Sequence, residues 1–213
     1  MTGAETREHH WQRVWTDREA ERVSWYEPVP ETSLELIRLA ELPPEAPLVD
    51  VGGGASTLAD HLLAEGFRDL TVLDIAAPAF EPAKRRLGER AGAVRWEVAD
   101  VTRWRPSRRY ALWHDRAVFH FLVEEADRIA YRATLDRALA AGGLAIVATF
   151  APDAPPRCSG LPVMRFDAAG LGRSFADLLV PIADRRHVHV TPAGVRQPFT
   201  YVLFRRRGEA GAD

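Results

Sequence analysis

The stretch LVDVGGGAST, residues 48–57, decides the fold. Its first four residues are mostly apolar and predict a buried strand, three glycines follow, and the small residues after them are typical of a helix start. Glycines let the main chain bend sharply and approach a ligand without an intervening Cβ. In an open α/β sheet such a loop lies at the carboxyl ends of the strands, where ligands bind, and the next helix offers free N–H groups to an anion. We therefore expect residues 51–57 to hold a negatively charged group beside a flat organic one.

Strands alternate with helices on the carboxyl side of this stretch. The alternation predicts a mostly parallel, doubly wound sheet with helices on both faces. After residue 160 the order changes, and two strands joined by a Pro/Gly turn predict an antiparallel pair at the end of the sheet. The predicted strands are 47–51, 70–75, 93–100, 110–115, 144–150, 185–190 and 199–206, and the predicted helices are 56–66, 78–90, 124–143 and 167–178.

The N-terminal part of the chain predicts helices only. Trp11, Val14 and Trp15 lie at helical spacing within residues 5–20, and a second helix is predicted over about 31–41, with a cap at Thr32 or Ser33. We expect residues 1–45 to form a helical lid and residues 46–213 to form the core, as parts of one domain.

Composition excludes several classes of protein. The 213 residues carry a formal net charge of −2, without the basic excess of a nucleic-acid binder. No apolar run approaches the roughly 18 residues that span a bilayer, and the N-terminus lacks the apolar core of a secretory signal. The single cysteine, Cys158, cannot form an internal disulfide. We expect a cytoplasmic protein, and we expect no metal site, because His187 and His189 have no carboxylate or cysteine at ligand spacing.

Two aspartates follow the glycines at the ends of the next two strands. Asp74 lies 20 residues beyond Gly54, where a carboxylate can accept hydrogen bonds from both hydroxyls of a ribose. Asp100 ends the third strand, where it can accept from an adenine amino group while Val101 packs on the ring. Polar residues also end the fourth strand, in the stretch WHDRAVFHFL, and they should lie near the mouth of the cleft.

This order of glycine loop, Asp74, Asp100 and a GG pair before an apolar fifth strand resembles the class I S-adenosylmethionine-dependent methyltransferases. The resemblance covers roughly residues 30–206. It implies a Rossmann-like, seven-stranded sheet with an antiparallel last strand, and S-adenosyl-L-methionine as the cofactor. One departure is Ser56, which stands where the family usually has a third glycine; serine is small and can cap the helix, so we expect binding to survive.

The resemblance also implies which residues bind the cofactor. Asp50 and the glycines face its methionine part, Asp74 and Ile75 its ribose, and Asp100 and Val101 its adenine. The opening helix is loosely similar to that of thiopurine- and thiol-type methyltransferases, in which tryptophans lie over the methionine part; the alternative is that these tryptophans are core. The expected cofactor-binding residues are Trp11, Trp15, Asp50, Gly52, Gly53, Gly54, Asp74, Ile75, Asp100, Val101 and His114.

Catalytic and substrate residues are less clearly marked. His114 and Asp115 are the catalytic candidates, although a loop-bonded imidazole and a helix-capping carboxylate are the alternatives. The candidates for substrate contact are Trp25, Tyr26, Arg116 and His120, of which His120 also fits a buried structural histidine. Cys158 fits an ordinary buried thiol.

We expect methyl transfer to a small-molecule nucleophile by in-line displacement. A protein-lysine methyltransferase is the first alternative. A nicotinamide-dependent oxidoreductase fits less well, because Thr57 breaks the G-x-G-x-x-G pattern read from Gly52 and Gly54. A non-catalytic cofactor-binding protein also remains open, since a fold alone does not prove an activity. The sequence does not indicate the oligomeric state.

Overall fold

A seven-stranded sheet forms the centre of the computed structural model, which describes residues 6–17 and 20–208. The strands are β1 (Leu48–Val51), β2 (Leu70–Asp74), β3 (Val94–Val98), β4 (Tyr110–Arg116), β5 (Leu139–Phe150), β8 (Leu179–Val190) and β9 (Arg196–Arg206), with the short pair β6 (Arg157–Cys158) and β7 (Leu161–Pro162) outside the sheet. The sheet order is β3-β2-β1-β4-β5-β9-β8. The first five are parallel, and β9 is antiparallel to both β5 and β8. The predicted fold class is confirmed.

Helices cover both faces of this sheet. They are α1 (Arg7–Asp17), α2 (Glu31–Leu39), α3 (Leu58–Ala64), α4 (Glu81–Leu87), α5 (Glu125–Ala138) and α6 (Ala168–Ser174). Successive residues of a strand point to opposite faces, so each strand supplies two hydrophobic clusters. On β1, Leu48 joins the cluster under α2 and α3, whereas Val49 joins the cluster under α5. This two-sided burial explains why most residues of the central strands are apolar.

Several element boundaries differ from the predicted ones. The predicted helix 124–143 ends at Ala138, because Leu139 begins β5 and its carbonyl accepts hydrogen bonds from Arg109 and Arg206. The predicted helix 78–90 is interrupted at Gly88, whose φ of 59° belongs to the left-handed region.

The predicted cap of the second helix is wrong. Pro30 occupies the N-cap position of α2, because the helix begins at Glu31. The Ser33 hydroxyl lies instead 2.9 Å from Nε2 of His114. At the next helix the N-cap position is Thr57 rather than Ser56, although the Ser56 Oγ accepts a hydrogen bond from the Leu58 amide at 3.1 Å. Within the described residues, none of these helices has both the length and the apolar character that crossing a membrane requires.

Candidate active site

A cleft opens at the carboxyl ends of β1, β2 and β4 and beside the loop after β3. It contains about 870 Å³ of empty space, counted to its open mouth. Its walls come from strand ends and the loops after them, from α1, and from the start of β9. This is the position at which open α/β sheets bind ligands.

Asp74 lies in this cleft and is 7% exposed. Its Oδ1 accepts a hydrogen bond from the Ala76 amide at 3.0 Å. Burial raises the pKa of the Asp74 carboxyl to about 7, the Ala76 amide opposes this shift, and the nearby Asp50 carboxylate adds to it. No lysine or arginine in the described ranges pairs with Asp74. It is therefore a buried carboxylate that can still accept hydrogen bonds from a ligand.

Asp100 lies on the same wall, with Ile75 and Val101. Its Oδ1 accepts hydrogen bonds from the Thr102 amide at 2.8 Å and from the Thr102 hydroxyl at 2.7 Å. These two bonds fix the carboxylate at the end of the third strand. Val101 is buried and adds an apolar surface beside it. The structure thus brings together the four residues that the sequence assigns to a ribose and an adenine.

The glycine loop is packed too tightly for side chains. Gly52 has a φ of 69°, and it lines the cleft. A Cβ on Gly53 would lie 2.4 Å from Oδ2 of Asp50 and 2.8 Å from Cγ1 of Val72, which real contacts do not allow. A Cβ on Gly54 would lie 2.9 Å from Oδ2 of Asp74. The main chain of the loop therefore packs directly against the carboxylates of Asp50 and Asp74, and it is exposed at Gly52.

A second pocket, the side pocket, shares Gly52, Trp15, Trp25 and Arg116 with the cleft. Asp50, Gly53, His114 and Tyr26 face the side pocket rather than the cleft.

The imidazole of His114 is held on both sides. Nδ1 lies 2.7 Å from Oδ1 of Asp50, and Nε2 lies 2.9 Å from the Ser33 hydroxyl. His114 is therefore bonded to a strand and a helix, not to the loop, and it fixes the Asp50 carboxylate.

Three tryptophans and a phenylalanine cover the cleft. The Trp25 ring meets the Trp11 and Trp15 rings edge to face, with centroids 5.7 and 5.5 Å apart, and Trp11 meets Phe121 at 5.1 Å. The three tryptophans are only half-buried, and all of them line the cleft. Their position favours contact with a ligand over a purely structural role.

Arg116 forms part of the wall near this aromatic cover. Its Nη1 donates to the Trp25 carbonyl at 3.0 Å, its Nη2 to Oε1 of Glu27 at 2.8 Å, and its Nε to the Tyr201 hydroxyl at 3.0 Å. Burial lowers the pKa of Arg116, but Tyr201 and Glu27 more than compensate, so the pKa is raised and the group stays charged. The guanidinium also lies 4.8 Å from the centroid of the Phe199 ring.

Residues 48–143 match the family model of a methyltransferase domain. This part of the chain is therefore identified as a methyltransferase domain. Solved structures share its fold at low sequence identity. A SAM-dependent methyltransferase from Anabaena variabilis has a TM-score of 0.74 and 18% identity, over 95% of this chain and 96% of that chain. The N-methyltransferase NodS from Bradyrhizobium japonicum, in complex with S-adenosylhomocysteine, has a TM-score of 0.70 and 15% identity, over 94% and 99%.

A third structure is a 1,6-didemethyltoxoflavin-N1-methyltransferase from Burkholderia thailandensis. It has a TM-score of 0.64 and 23% identity, over 93% of this chain and 83% of that chain. No protein of curated function matches the chain in sequence.

Three of the predicted site residues, Gly54, Asp115 and His120, line neither the cleft nor the side pocket. Asp115 is fully buried, and its carboxylate accepts hydrogen bonds from the amides of Val118 and Phe119 and from the Tyr131 hydroxyl. His120 is also fully buried, its Nδ1 accepts from the Phe150 amide at 3.3 Å, and burial lowers its pKa to about 3. Neither residue lines the cleft or the side pocket, so their positions support the structural alternatives.

Other residues of the cleft carry no signal in the sequence. Phe121, Cys158, Gln197 and Phe199 line it, and two of them come from β9, at the far end of the chain. Cys158 is 6% exposed, and burial raises its thiol pKa to about 11, as expected of an ordinary buried thiol. In the ranges that the structure describes, no three His, Cys, Asp or Glu side chains form a cluster that could hold a metal ion.

Proposed function

We propose that this methyltransferase transfers the methyl group of S-adenosyl-L-methionine to a small-molecule nucleophile by in-line displacement. The observation that carries the proposal is the cleft in which the glycine loop, Asp74 and Asp100 meet at the ends of neighbouring strands. A buried carboxylate without a cationic partner, beside a bare main chain, fits a ligand that carries hydroxyl donors. A nucleoside, whose ribose carries two hydroxyl groups, is such a ligand.

The residues of the cleft divide between the parts of that nucleoside. Asp74 and Ile75 would hold the ribose, and Asp100 and Val101 the adenine. Gly52 lines both the cleft and the side pocket, so the amino-acid tail would pass over it toward Asp50 and His114.

The cofactor supplies a methyl group that is already activated on a cationic sulfur. Trp11 and Trp15 line the cleft, and aromatic rings attract positive charge to their faces. Helix α1 and the segment that carries Trp25 would then act as the lid, which we place within residues 1–45. The lid would exclude water and align the nucleophile, and alignment of this kind contributes on the order of 7–11 kcal/mol.

A small acceptor fits this cleft better than a lysine side chain. The acidic residues that line the cleft, Asp74 and Asp100, belong to the nucleoside part, and the cation Arg116 lies on the opposite side. A lysine ammonium would find no free carboxylate there, because Glu27 is already paired with Arg116. The Burkholderia enzyme named above acts, by its name, on 1,6-didemethyltoxoflavin, a small molecule.

No general base in the described part of the chain lines the acceptor side of the cleft, since His114 and Asp115 lie elsewhere. The nucleophile must therefore arrive with a free lone pair, as an amine, a ring nitrogen or an ionised thiol. Proton transfer to water can follow the methyl transfer.

Calorimetric titration of the full chain with S-adenosylhomocysteine tests the proposal. We expect one site with a dissociation constant in the micromolar range, and no binding of NADH. A screen of thiols, amines and nitrogen heterocycles for S-adenosylhomocysteine release then tests transfer. Absence of binding would refute the cofactor assignment, whereas binding without turnover on any acceptor would favour a non-catalytic protein.

A further inference from the structure

The cleft has an end that the nucleoside does not reach. The sheet order places β9 on the opposite side of β1 from β3, so residues at the start of β9 lie far from Asp100. Gln197 and Phe199 begin β9, and they line the cleft together with Phe121 and Cys158. We call these four residues and Arg116 the acceptor end.

Gln197 carries an unexplained polar atom at this end. The residue is 7% exposed, and its Oε1 is buried without a hydrogen-bond partner among the described residues. A buried acceptor left unpaired costs about 1–3 kcal/mol, and nearly all buried polar groups in folded proteins are paired. Because the Gln197 side chain also lines the cleft, rotation of its amide would present this closed-off oxygen to a donor on a bound ligand.

The surroundings of Gln197 define what kind of donor fits. Phe121 is half-buried and offers an aromatic surface, whereas Phe199 is only 1% exposed and its ring carries the Arg116 guanidinium. Glu27 neutralises the charge of Arg116 through an ion pair at 2.8 Å, in which both side chains are mostly buried. The acceptor end is therefore lined by aromatic side chains and carries no uncompensated charge. Both properties suit a neutral aromatic molecule.

We propose that Gln197 determines acceptor specificity, and that its Oε1 accepts a hydrogen bond from an N–H or O–H group of a neutral aromatic acceptor packed on Phe121. This inference rests on the proposed function. A site built to pair with a donor rejects the analogue that lacks it, because the buried oxygen is then left unpaired. Gln197 thus acts by selecting and orienting the acceptor, without taking part in proton transfer.

The test uses matched probes on the full chain saturated with S-adenosylhomocysteine. The probes are indole and 2-quinolone, each paired with its N-methyl derivative, and their dissociation constants are measured by ligand-observed NMR. We expect each N–H probe to bind about ten-fold more tightly than its N-methyl partner. In Gln197→Met, which keeps the length of the side chain but removes the oxygen, the ratio should fall to near one.

Thr149→Val is the matched control. Thr149 lies on neighbouring β5, and its Oγ1 is likewise buried and unpaired, but it does not line the cleft. Removing this hydroxyl should leave the ratio unchanged. Equal binding of the paired probes, no binding of either N–H probe, or a ratio that survives in Gln197→Met would each overturn the inference. Failure of S-adenosylhomocysteine itself to bind would instead overturn the proposed function, and this inference with it.

Discussion

Asp74 combines a cost in stability with a role in binding. Its pKa rises from an ordinary 3.8 to about 7, first because of burial. The folded state therefore holds the proton more tightly than the unfolded chain, so this residue lowers stability as the pH rises from about 4 to 7. Above pH 7 the full cost is about 4 kcal/mol. Such a cost is common where a site is arranged for a ligand.

Replacing Asp74 by asparagine should separate these two effects. We expect the cofactor-free Asp74→Asn protein to melt several degrees above the wild type at pH 8, with a smaller gain at pH 5.5. We also expect its affinity for S-adenosylhomocysteine to fall roughly 10- to 100-fold, because a neutral amide accepts more weakly from the ribose. Scanning calorimetry at both pH values and a titration at pH 8 measure the two quantities.

Asp115→Asn provides the contrast. Burial also raises the pKa of the Asp115 carboxyl, to about 6, but this carboxylate accepts three hydrogen bonds and does not line the cleft. The NH2 group of an asparagine would face these donors and leave at least one of them unpaired. This variant should melt below the wild type and keep its affinity. A stable Asp74→Asn protein with undiminished affinity would remove Asp74 from the ligand site.

The residues differ in how far the sequence could predict them. Asp74 and Asp100 could be placed because Asp74 ends β2 and Asp100 follows the end of β3 by two residues, and local patterning indicates where strands end. The roles of Glu27 and Gln197 could not be predicted, because the residues around them are distant in the chain. His189, for example, contacts Glu27 although the two are 162 positions apart in the sequence. No periodicity within one element carries that information.

At the scale of elements, the segment of residues 23–30 contains no helix or strand. Its position is therefore fixed by hydrogen bonds to other parts of the chain. The Ser24 carbonyl lies 2.8 Å from Nε2 of His189, and the Trp25 carbonyl accepts from Arg116. Glu27 lies 2.8 Å from Nη2 of Arg116 and 3.1 Å from Nδ1 of His189. Burial raises the pKa of Glu27, but the His189 hydrogen bond and the Arg116 charge outweigh it, so the pKa is lowered. These bonds hold Trp25 over the cleft.

Glu27→Gln should therefore destabilise the protein. Arg116 would keep its charge in a mostly buried position without a counter-ion, and removing one partner of such a pair costs about 3 kcal/mol. Equilibrium unfolding in urea measures the change. The matched control is Glu35→Gln, which breaks the exposed pair with Arg185 and should cost less than about 1 kcal/mol. Equal effects of the two substitutions would show that the buried pair does not anchor the segment.

The sheet itself could be predicted almost completely, but the ends of its helices could not. Strands that are buried on both faces are mostly apolar, so β1, β2, β4 and β5 are visible in the sequence. The end of α5 depends instead on Arg109 and Arg206, which reach the Leu139 carbonyl from other parts of the chain. The strand starts there because tertiary hydrogen bonds outweigh helix propensity.

At the scale of the whole molecule, burial is unevenly distributed. The strand pair β5 and β9 runs through the core, and most of their paired residues are fully buried. In α1, by contrast, only Val14 is buried among the side chains that the structure describes. Elements with few buried contacts open locally at low free-energy cost. A ligand that binds only when such an element is folded stabilises it, and the stabilisation free energy grows with the logarithm of the ligand concentration above the dissociation constant.

Hydrogen exchange should reveal this coupling. Trp11 and Trp15 line the cleft, so we expect the amides of α1 to exchange at least ten-fold more slowly when S-adenosylhomocysteine saturates the full chain. Helix α6 is the internal control, because it also buries a single residue, Leu171, but does not line the cleft. Mass spectrometry of peptides from both helices, with and without the ligand, measures the difference. If α1 and α6 slow equally, or if α1 does not change, the tryptophans are core residues and α1 is not part of a lid over the cofactor.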